Sequence, residues 1–182
     1  MFSGQCCSAS RGLQPIHHVG LVVRDCTSTA RLWEQISGRR ATESFDGRYA
    51  NAVSDGAVLS WSLRFSFIKV GMTLLELIQP LDERSPHASF LQQRGEGIHH
   101  LGFRVDDVDT EVTRLEKLGF RRIVEYRSSD GSPGWMYLGM GRFESVIELM
   151  ASGSEEHKAF FSRVDELLGE PDSLSAEVEN EG

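Results

Sequence analysis

With 40% hydrophobic and 25% charged residues, the 182-residue chain has the composition of an ordinary globular protein. Its formal net charge of −8 argues against a surface that binds nucleic acid or anionic membranes. It has no apolar run near the roughly 20 residues of a membrane helix, no secretory signal region and only three cysteines, which together predict a cytoplasmic protein.

The first half of the chain predicts a strand, a helix and three further strands. The strand lies in PIHHVGLVVRDC, residues 15–26, and the helix runs from Asp25 to Gly38, where a glycine ends an apolar stripe of helical spacing. DGRYANAVSDG, residues 46–56, is predicted to be an inserted loop. The three further strands are predicted at about Arg40–Phe45, Leu59–Val70 and Met72–Gln79.

The second half repeats this order of elements. GEGIHHLGFRVDDVD, residues 95–109, predicts the strand, and Asp107 to Gly119 has the apolar spacing of a helix. A helix at residues 85–95 would connect the halves, and EEHKAFFSRVDELL would form another after the second half. The remaining strands are predicted at Arg121–Tyr126, Trp135–Met140 and Ser145–Met150.

The repeat predicts an α+β fold in which two tandem βαβββ modules form a concave mixed sheet. Each module is too small to bury much surface alone, so the two should share one core and one concavity. The predicted divisions are a flexible N-terminus at 1–14, a first module at 15–83, a linking helix at 84–97, a second module at 98–152, a C-terminal helix at 153–169 and a disordered acidic tail at 170–182.

Paired histidines occupy the same position in both first strands, since IHHVG at residues 16–20 aligns with IHHLG at residues 98–102. Side chains of a strand alternate between its two faces. His17 and His99 therefore share a face with apolar residues, which predicts that they point toward the helices. His18 and His100 share a face with glycines, which predicts that they line a pocket.

Two glutamates also match between the halves: Glu76 in LLELI and Glu148 in VIELM. A carboxylate within an aliphatic strand costs several kcal/mol unless it is paired or bound to metal. One such histidine or glutamate is usually structural, but four at matching positions favour one metal site. The pocket should therefore form around a metal, and its nitrogen and oxygen donors suit zinc, cobalt, nickel, manganese or iron.

Over residues 16–150 the sequence resembles the vicinal-oxygen-chelate superfamily of glyoxalase I, extradiol dioxygenases and bleomycin-resistance proteins. Its central run, LLELIQPLDERSPHASFLQQRGEGIHHLGFRVDDVD, is similar to methylmalonyl-CoA epimerase. The resemblance implies one divalent ion per chain (cobalt, nickel, zinc or manganese). The ligand positions of the family fall on His18, Glu76, His100 and Glu148.

The resemblance also implies an isomerase, a metal-dependent epimerase that abstracts an α-proton through a metal-stabilised enolate. Its substrate would be a small carbonyl compound such as methylmalonyl-CoA or another acyl-CoA. The candidate catalytic bases are Glu148 and Glu76. Homodimers are common for this fold, so a homodimer is expected.

Two departures from the epimerase pattern leave alternatives open. YLGMGRFES, residues 137–145, replaces the His-Pro-Lys-like turn of the family, and SLRFSFIKV, residues 62–70, carries no carboxylate base. The alternatives are an epimerase of a cyclitol-type or other small ketone, a glyoxalase I-like lyase and a non-catalytic binding protein of the bleomycin-resistance type. A dioxygenase is disfavoured, because that chemistry generally uses two histidines and only one carboxylate.

A few further polar residues are predicted to be structural. Asp46, Tyr49 and Asp55 would lie in the solvated loop, where substrate contact is the weaker interpretation. His87 and His157 are predicted to lie at the surface.

Overall fold

The computed structural model describes residues 13, 15–128, 131–141, 143–152, 162, 164 and 166. The predicted N-terminal segment, C-terminal helix and acidic tail therefore lie almost entirely outside the described residues. The described helices and strands are β1 His18–Val22, α1 Cys26–Ser37, β2 Phe45–Ser54, β3 Ala57–Val70, β4 Thr73–Pro80, α2 Pro86–Arg94, β5 Gly97–Val105, α3 Val108–Lys117, β6 Arg121–Arg127, β7 Pro133–Met140 and β8 Phe143–Ala151.

The eight strands close into a barrel in the order β1-β4-β3-β2-β6-β7-β8-β5. The β1–β4 and β5–β8 pairs are parallel and the others are antiparallel, so the predicted mixed α+β fold is confirmed. The sheet curves further than the predicted concave one, because β1 pairs with β5 and β2 meets β6. The β1–β5 pair places the two histidine strands side by side.

Residues 46–56 were predicted to be a loop, and this prediction is wrong. They form most of β2, which pairs with β3 through a two-residue turn at Asp55 and Gly56, both with positive φ (48° and 76°). This Asp-Gly turn is a strong hairpin signal. The strand was hidden by its small and polar residues, and by Asn51, whose φ of 64° coincides with a shift of register.

Helices α1 and α3 cover the outer face of the barrel. Each begins at an aspartate that accepts a hydrogen bond from a backbone N–H: Asp25 from Ser28 at 2.8 Å and Asp107 from Thr110 at 3.0 Å. Buried Cys26 and Ala30 pack α1 against Val23 and Leu77 on the first half of the sheet. Val108, Val112 and Leu115 pack α3 against Met136, Leu138 and Leu149 on the second half.

The predicted helix at residues 85–95 is observed as α2, which packs against β1, β4 and β5. Ser85 accepts a hydrogen bond from the N–H of Ala88, and Pro86 occupies the first turn, where its missing N–H costs nothing. Across the described residues, we find no helix with the length and apolarity to span a membrane.

Candidate metal centre

Four neighbouring strands, in the order β4-β1-β5-β8, bring the predicted ligands together. In the antiparallel β1–β5 pair, His18 lies opposite Gly102 and Gly20 lies opposite His100. In the two parallel pairs, Glu76 lies beside Gly20 and Glu148 lies beside Gly102. Because residues side by side in a sheet point to the same face, all four side chains enter the barrel.

The four side chains are buried and converge on one point. The Nε2 atoms of His18 and His100 are 3.0 Å apart. The Oε2 atoms of Glu76 and Glu148 lie 3.2 and 3.0 Å from His18 Nε2, and each lies 3.3 Å from His100 Nε2. One donor atom from each residue falls within a group no wider than 4.8 Å.

This donor set fits a divalent cation. Ligand atoms about 2.1 Å from a metal lie roughly 3.0 Å apart at right angles and roughly 3.4 Å apart at tetrahedral angles. The five measured separations, from 3.0 to 3.3 Å, fall in that interval. Two imidazole nitrogens and two carboxylate oxygens also balance the charge of a divalent ion.

Electrostatics within the cluster favour charge on all four groups. Burial opposes the charged form of His18, but Glu76 and Glu148 outweigh it and raise its pKa to about 10. The pKa of His100 is also raised, again against burial, chiefly by Glu148. Burial also opposes the charged form of Glu76 and Glu148, but the two histidines outweigh it and lower the pKa of both carboxyl groups. A cation would take the place of the histidine protons, so its binding would release protons.

Gly20 and Gly102 create the space for the histidine rings. A Cβ on Gly20 would lie 2.1 Å from Cε1 of His100, and a Cβ on Gly102 would lie 2.1 Å from Cε1 of His18. Such contacts are far shorter than van der Waals distance. The glycine of each half therefore makes room for the histidine of the other half.

Gly20→Ala should weaken binding of a divalent cation at least about 10-fold, because the His100 ring would have to move. Zn²⁺ affinity measured by competition with a chromogenic chelator is the test. Gly97→Ala on β5 is the matched control, since its Cβ would meet only Phe90 Cζ at 4.0 Å and affinity should be unchanged. Equal affinity of the wild type and Gly20→Ala would contradict the steric interpretation.

The prediction that His87 lies at the surface is wrong. Its side chain is 1% exposed, and its Nε2 lies 3.0 Å from the hydroxyl of Tyr137. The N-terminal turn of α2 directs this residue into the barrel, where it lines the same cavity as His18 and Glu76. The helix start at Ser85-Pro86 could be predicted from sequence, but the orientation of its second residue depends on how α2 packs.

His99 lies at an irregularity of β5. On β1, Gly20 pairs with His100 and the next residue, Leu21, pairs with Ile98, which leaves His99 as an extra residue on β5. Its ring packs against α2, the side toward which the sequence predicted that it points. His99 is buried, and its ring centroid lies 4.6 Å from that of His87 and 5.3 Å from that of Tyr137.

The four-residue cluster lies at a cavity of about 160 Å³ inside the barrel. Of the residues assigned to the loop, Tyr49 lines this cavity from β2, with its ring 5.4 Å from those of Tyr126 and Trp135. The interpretation of Tyr49 as a solvated residue is therefore wrong. Asp46 is exposed and pairs with Arg64 at 2.7 Å, which is consistent with a structural role.

The family model of the glyoxalase/bleomycin resistance protein/dioxygenase superfamily matches residues 17–138, and the chain belongs to this superfamily. The predicted resemblance is thus confirmed. Human mitochondrial methylmalonyl-CoA epimerase is 28% identical over 111 residues, which cover 60% of this chain and 57% of the human protein. Ethylmalonyl-CoA/methylmalonyl-CoA epimerase of Cereibacter sphaeroides is 41% identical over 56 residues, 30% of this chain and 42% of that protein.

Solved structures share the fold. Methylmalonyl-CoA epimerase from Mycobacterium tuberculosis aligns with a TM-score of 0.59 at 24% identity, over 82% of this chain and 95% of that one. A Streptomyces coelicolor methylmalonyl-CoA epimerase in complex with 2-nitronate-propionyl-CoA aligns with a TM-score of 0.54 at 23% identity. The alignment covers 78% of this chain and 99% of that one.

Proposed function

We propose that the chain is a metal-dependent epimerase acting on methylmalonyl-CoA or a related α-substituted carbonyl compound. His18, Glu76, His100 and Glu148 would hold the cation. The observation that carries the proposal is the convergence of these four buried donors, within 4.8 Å, at a cavity inside the barrel. The methylmalonyl-CoA epimerases among its relatives support the choice of reaction.

The proposal extends to the internal repeat. Two tandem βαβββ modules, at residues 15–83 and 98–152, would each supply one histidine and one glutamate to a single site. The reciprocal pairing of Gly20 and Gly102 with the histidines of β1 and β5 supports this two-fold arrangement.

A divalent cation would polarise the substrate carbonyl and so acidify the neighbouring C–H. The protein must then supply a base beside that carbon. Glu148 is the first candidate for this base. It lies directly opposite Tyr137 on β7, which is a polar residue of the cavity, whereas Glu76 lies opposite the apolar Phe67 on β3. Aromatic side chains enclose this space and limit the access of water, which strengthens electrostatic interactions inside.

Cavity size restricts which part of the substrate can enter. A space of about 160 Å³ suits a small acyl group. The nucleotide portion of a CoA thioester would have to remain outside the barrel. The proposal therefore places only the reacting end of the substrate beside the four ligands.

Tyr137 is a second polar group of the cavity. Burial is the main reason that the pKa of His87 falls well below its usual range, so this histidine is neutral and carries one ring proton. Among the described residues, its Nδ1 has no hydrogen-bond partner. Buried N–H groups without a partner are rare, so the proton belongs on Nε2, which donates to the Tyr137 hydroxyl. The hydroxyl proton of Tyr137 is then left to donate to a substrate oxygen.

Tyr137→Phe should lower kcat/KM about 2- to 10-fold while metal content stays at the wild-type level, because one hydrogen bond to substrate is lost. Steady-state kinetics together with elemental analysis provides the measurement. In His87→Gln the glutamine amide can still donate a hydrogen bond to the Tyr137 hydroxyl, so kcat/KM should fall less than in Tyr137→Phe. A Tyr137→Phe protein with unchanged kcat/KM would remove this residue from substrate binding.

Proton exchange tests the proposed reaction. In heavy water the metal-loaded protein should epimerise methylmalonyl-CoA and incorporate deuterium at its α-carbon, and chelation should stop both processes. A cyclitol-type ketone should be assayed in parallel, because the His-Pro-Lys-like turn of the acyl-CoA epimerases is replaced in this sequence. A fully metal-loaded protein that exchanges neither substrate would favour the lyase or the binding-protein interpretation.

A further inference from the structure

Both proposed histidine ligands make the same contact with the residue that precedes them. Nδ1 of His18 lies 3.0 Å from Nδ1 of His17, and Nδ1 of His100 lies 3.0 Å from Nδ1 of His99. In each pair the two rings are nearly perpendicular, with centroids 5.3 Å apart. The contact recurs although His17 is half-buried and His99 is fully buried at a bulge.

The direction of these hydrogen bonds follows from the orientation of the ligand rings. Nε2 of His18 and Nε2 of His100 face the two carboxylates and each other. A neutral imidazole that binds a cation through Nε2 carries its proton on Nδ1. That Nδ1–H must donate, so Nδ1 of the preceding histidine accepts. In the second pair, the proton of His99 then resides on Nε2.

We propose that His17 and His99 are positioning residues, whose Nδ1 atoms fix the tautomer and ring orientation of His18 and His100 for cation binding. This inference rests on the proposed metal centre. Hydrogen bonds of this kind hold a metal-binding imidazole in its required orientation and increase its basicity as a ligand. The second histidine of each pair would bind the cation, and the first would act by orienting the second.

The surroundings of His99 strengthen the inference for the second pair. Its ring is enclosed by His87, Phe90 and Tyr137, with centroids 4.6, 5.2 and 5.3 Å away. These neighbours leave the His99 ring little freedom to rotate, so its Nδ1 is held in place as an acceptor. An acceptor fixed in this way can orient the His100 ring without moving itself.

Two substitutions at each position separate hydrogen bonding from packing. Leucine places a carbon atom, and asparagine an amide oxygen, the same number of bonds from Cα as Nδ1. His99→Leu and His17→Leu should therefore bind Zn²⁺ about 10- to 100-fold more weakly than the wild type, by chelator competition. His99→Asn and His17→Asn retain an acceptor and should stay within a few-fold of the wild type. Thermal unfolding in the presence of chelator identifies variants that fail to fold.

Long-range ¹⁵N–¹H spectra of the zinc-loaded protein give a second readout, which a purely structural role would not predict. His18 and His100 should appear as Nδ1–H tautomers, and His99 as the Nε2–H tautomer. Wild-type Zn²⁺ affinity in folded leucine variants, or the opposite tautomers, would overturn the positioning role of His17 and His99 but not the metal centre. A wild-type protein that binds no divalent cation would overturn the metal centre as well.

Discussion

His100→Ala should abolish tight binding of divalent cations, lowering affinity by more than about 100-fold. The His100 side chain is 0% exposed, and its Nε2 lies 3.3 Å from each glutamate and 3.0 Å from His18. Loss of outer partners of a metal ligand already costs 10- to 100-fold, and loss of a ligand should cost more. Elemental analysis after equal chelation and reloading of variant and wild type measures the effect.

The interpretation of this variant requires a folded protein. Removal of a fully buried ring leaves a cavity, and the two carboxylates lose one partner that favours their charged form. Thermal unfolding in chelator therefore accompanies the metal measurement, and His18→Ala provides the equivalent substitution on the other half of the barrel. Unchanged stoichiometry in folded His100→Ala would refute the assignment of His100 as a ligand.

Glu148→Gln should retain the cation but lose α-proton exchange by about 10²- to 10⁴-fold. The amide oxygen of glutamine can still approach a cation, but the side chain cannot accept a proton at neutral pH. Deuterium incorporation into methylmalonyl-CoA, followed by mass spectrometry on protein of known metal content, is the measurement. Glu76→Gln is the matched control, because this residue is the equivalent carboxylate of the other half.

The two variants distinguish the two carboxylates as bases. Retained exchange in Glu148→Gln with lost exchange in Glu76→Gln would transfer the role to Glu76. Loss in both variants, each with a full complement of cation, would indicate that one carboxylate removes the proton and the other returns it.

The convergent cluster could be predicted from the amino-acid sequence because each half of the chain carries one histidine and one glutamate at matching positions. Strand alternation selected His18 and His100, and an acid within an aliphatic strand marked Glu76 and Glu148. The structure brings these four side chains together. Three of the four predicted helices fall within two residues of α1, α2 and α3, because each has a clear start and end in the sequence. The fourth lies almost entirely outside the described residues.

The features that sequence could not predict depend on contacts between distant residues. The irregularity at His99 arises from the pairing of β5 with β1, which the sequence of β5 alone does not show. The burial of His87 depends on how α2 packs. Strand β2 was missed because glycine and asparagine have low strand propensity, although its partner β3 holds them in the sheet.

The reciprocal placement of histidines and glycines across β1 and β5 also has a consequence for folding. A cation bound there would be held equally by both halves of the chain, so neither half could unfold without releasing it. Binding energy of this kind adds to the free energy of unfolding of the whole barrel. Metal loading should therefore stabilise both halves together, and the midpoint of the unfolding transition of the barrel should rise with free cation concentration.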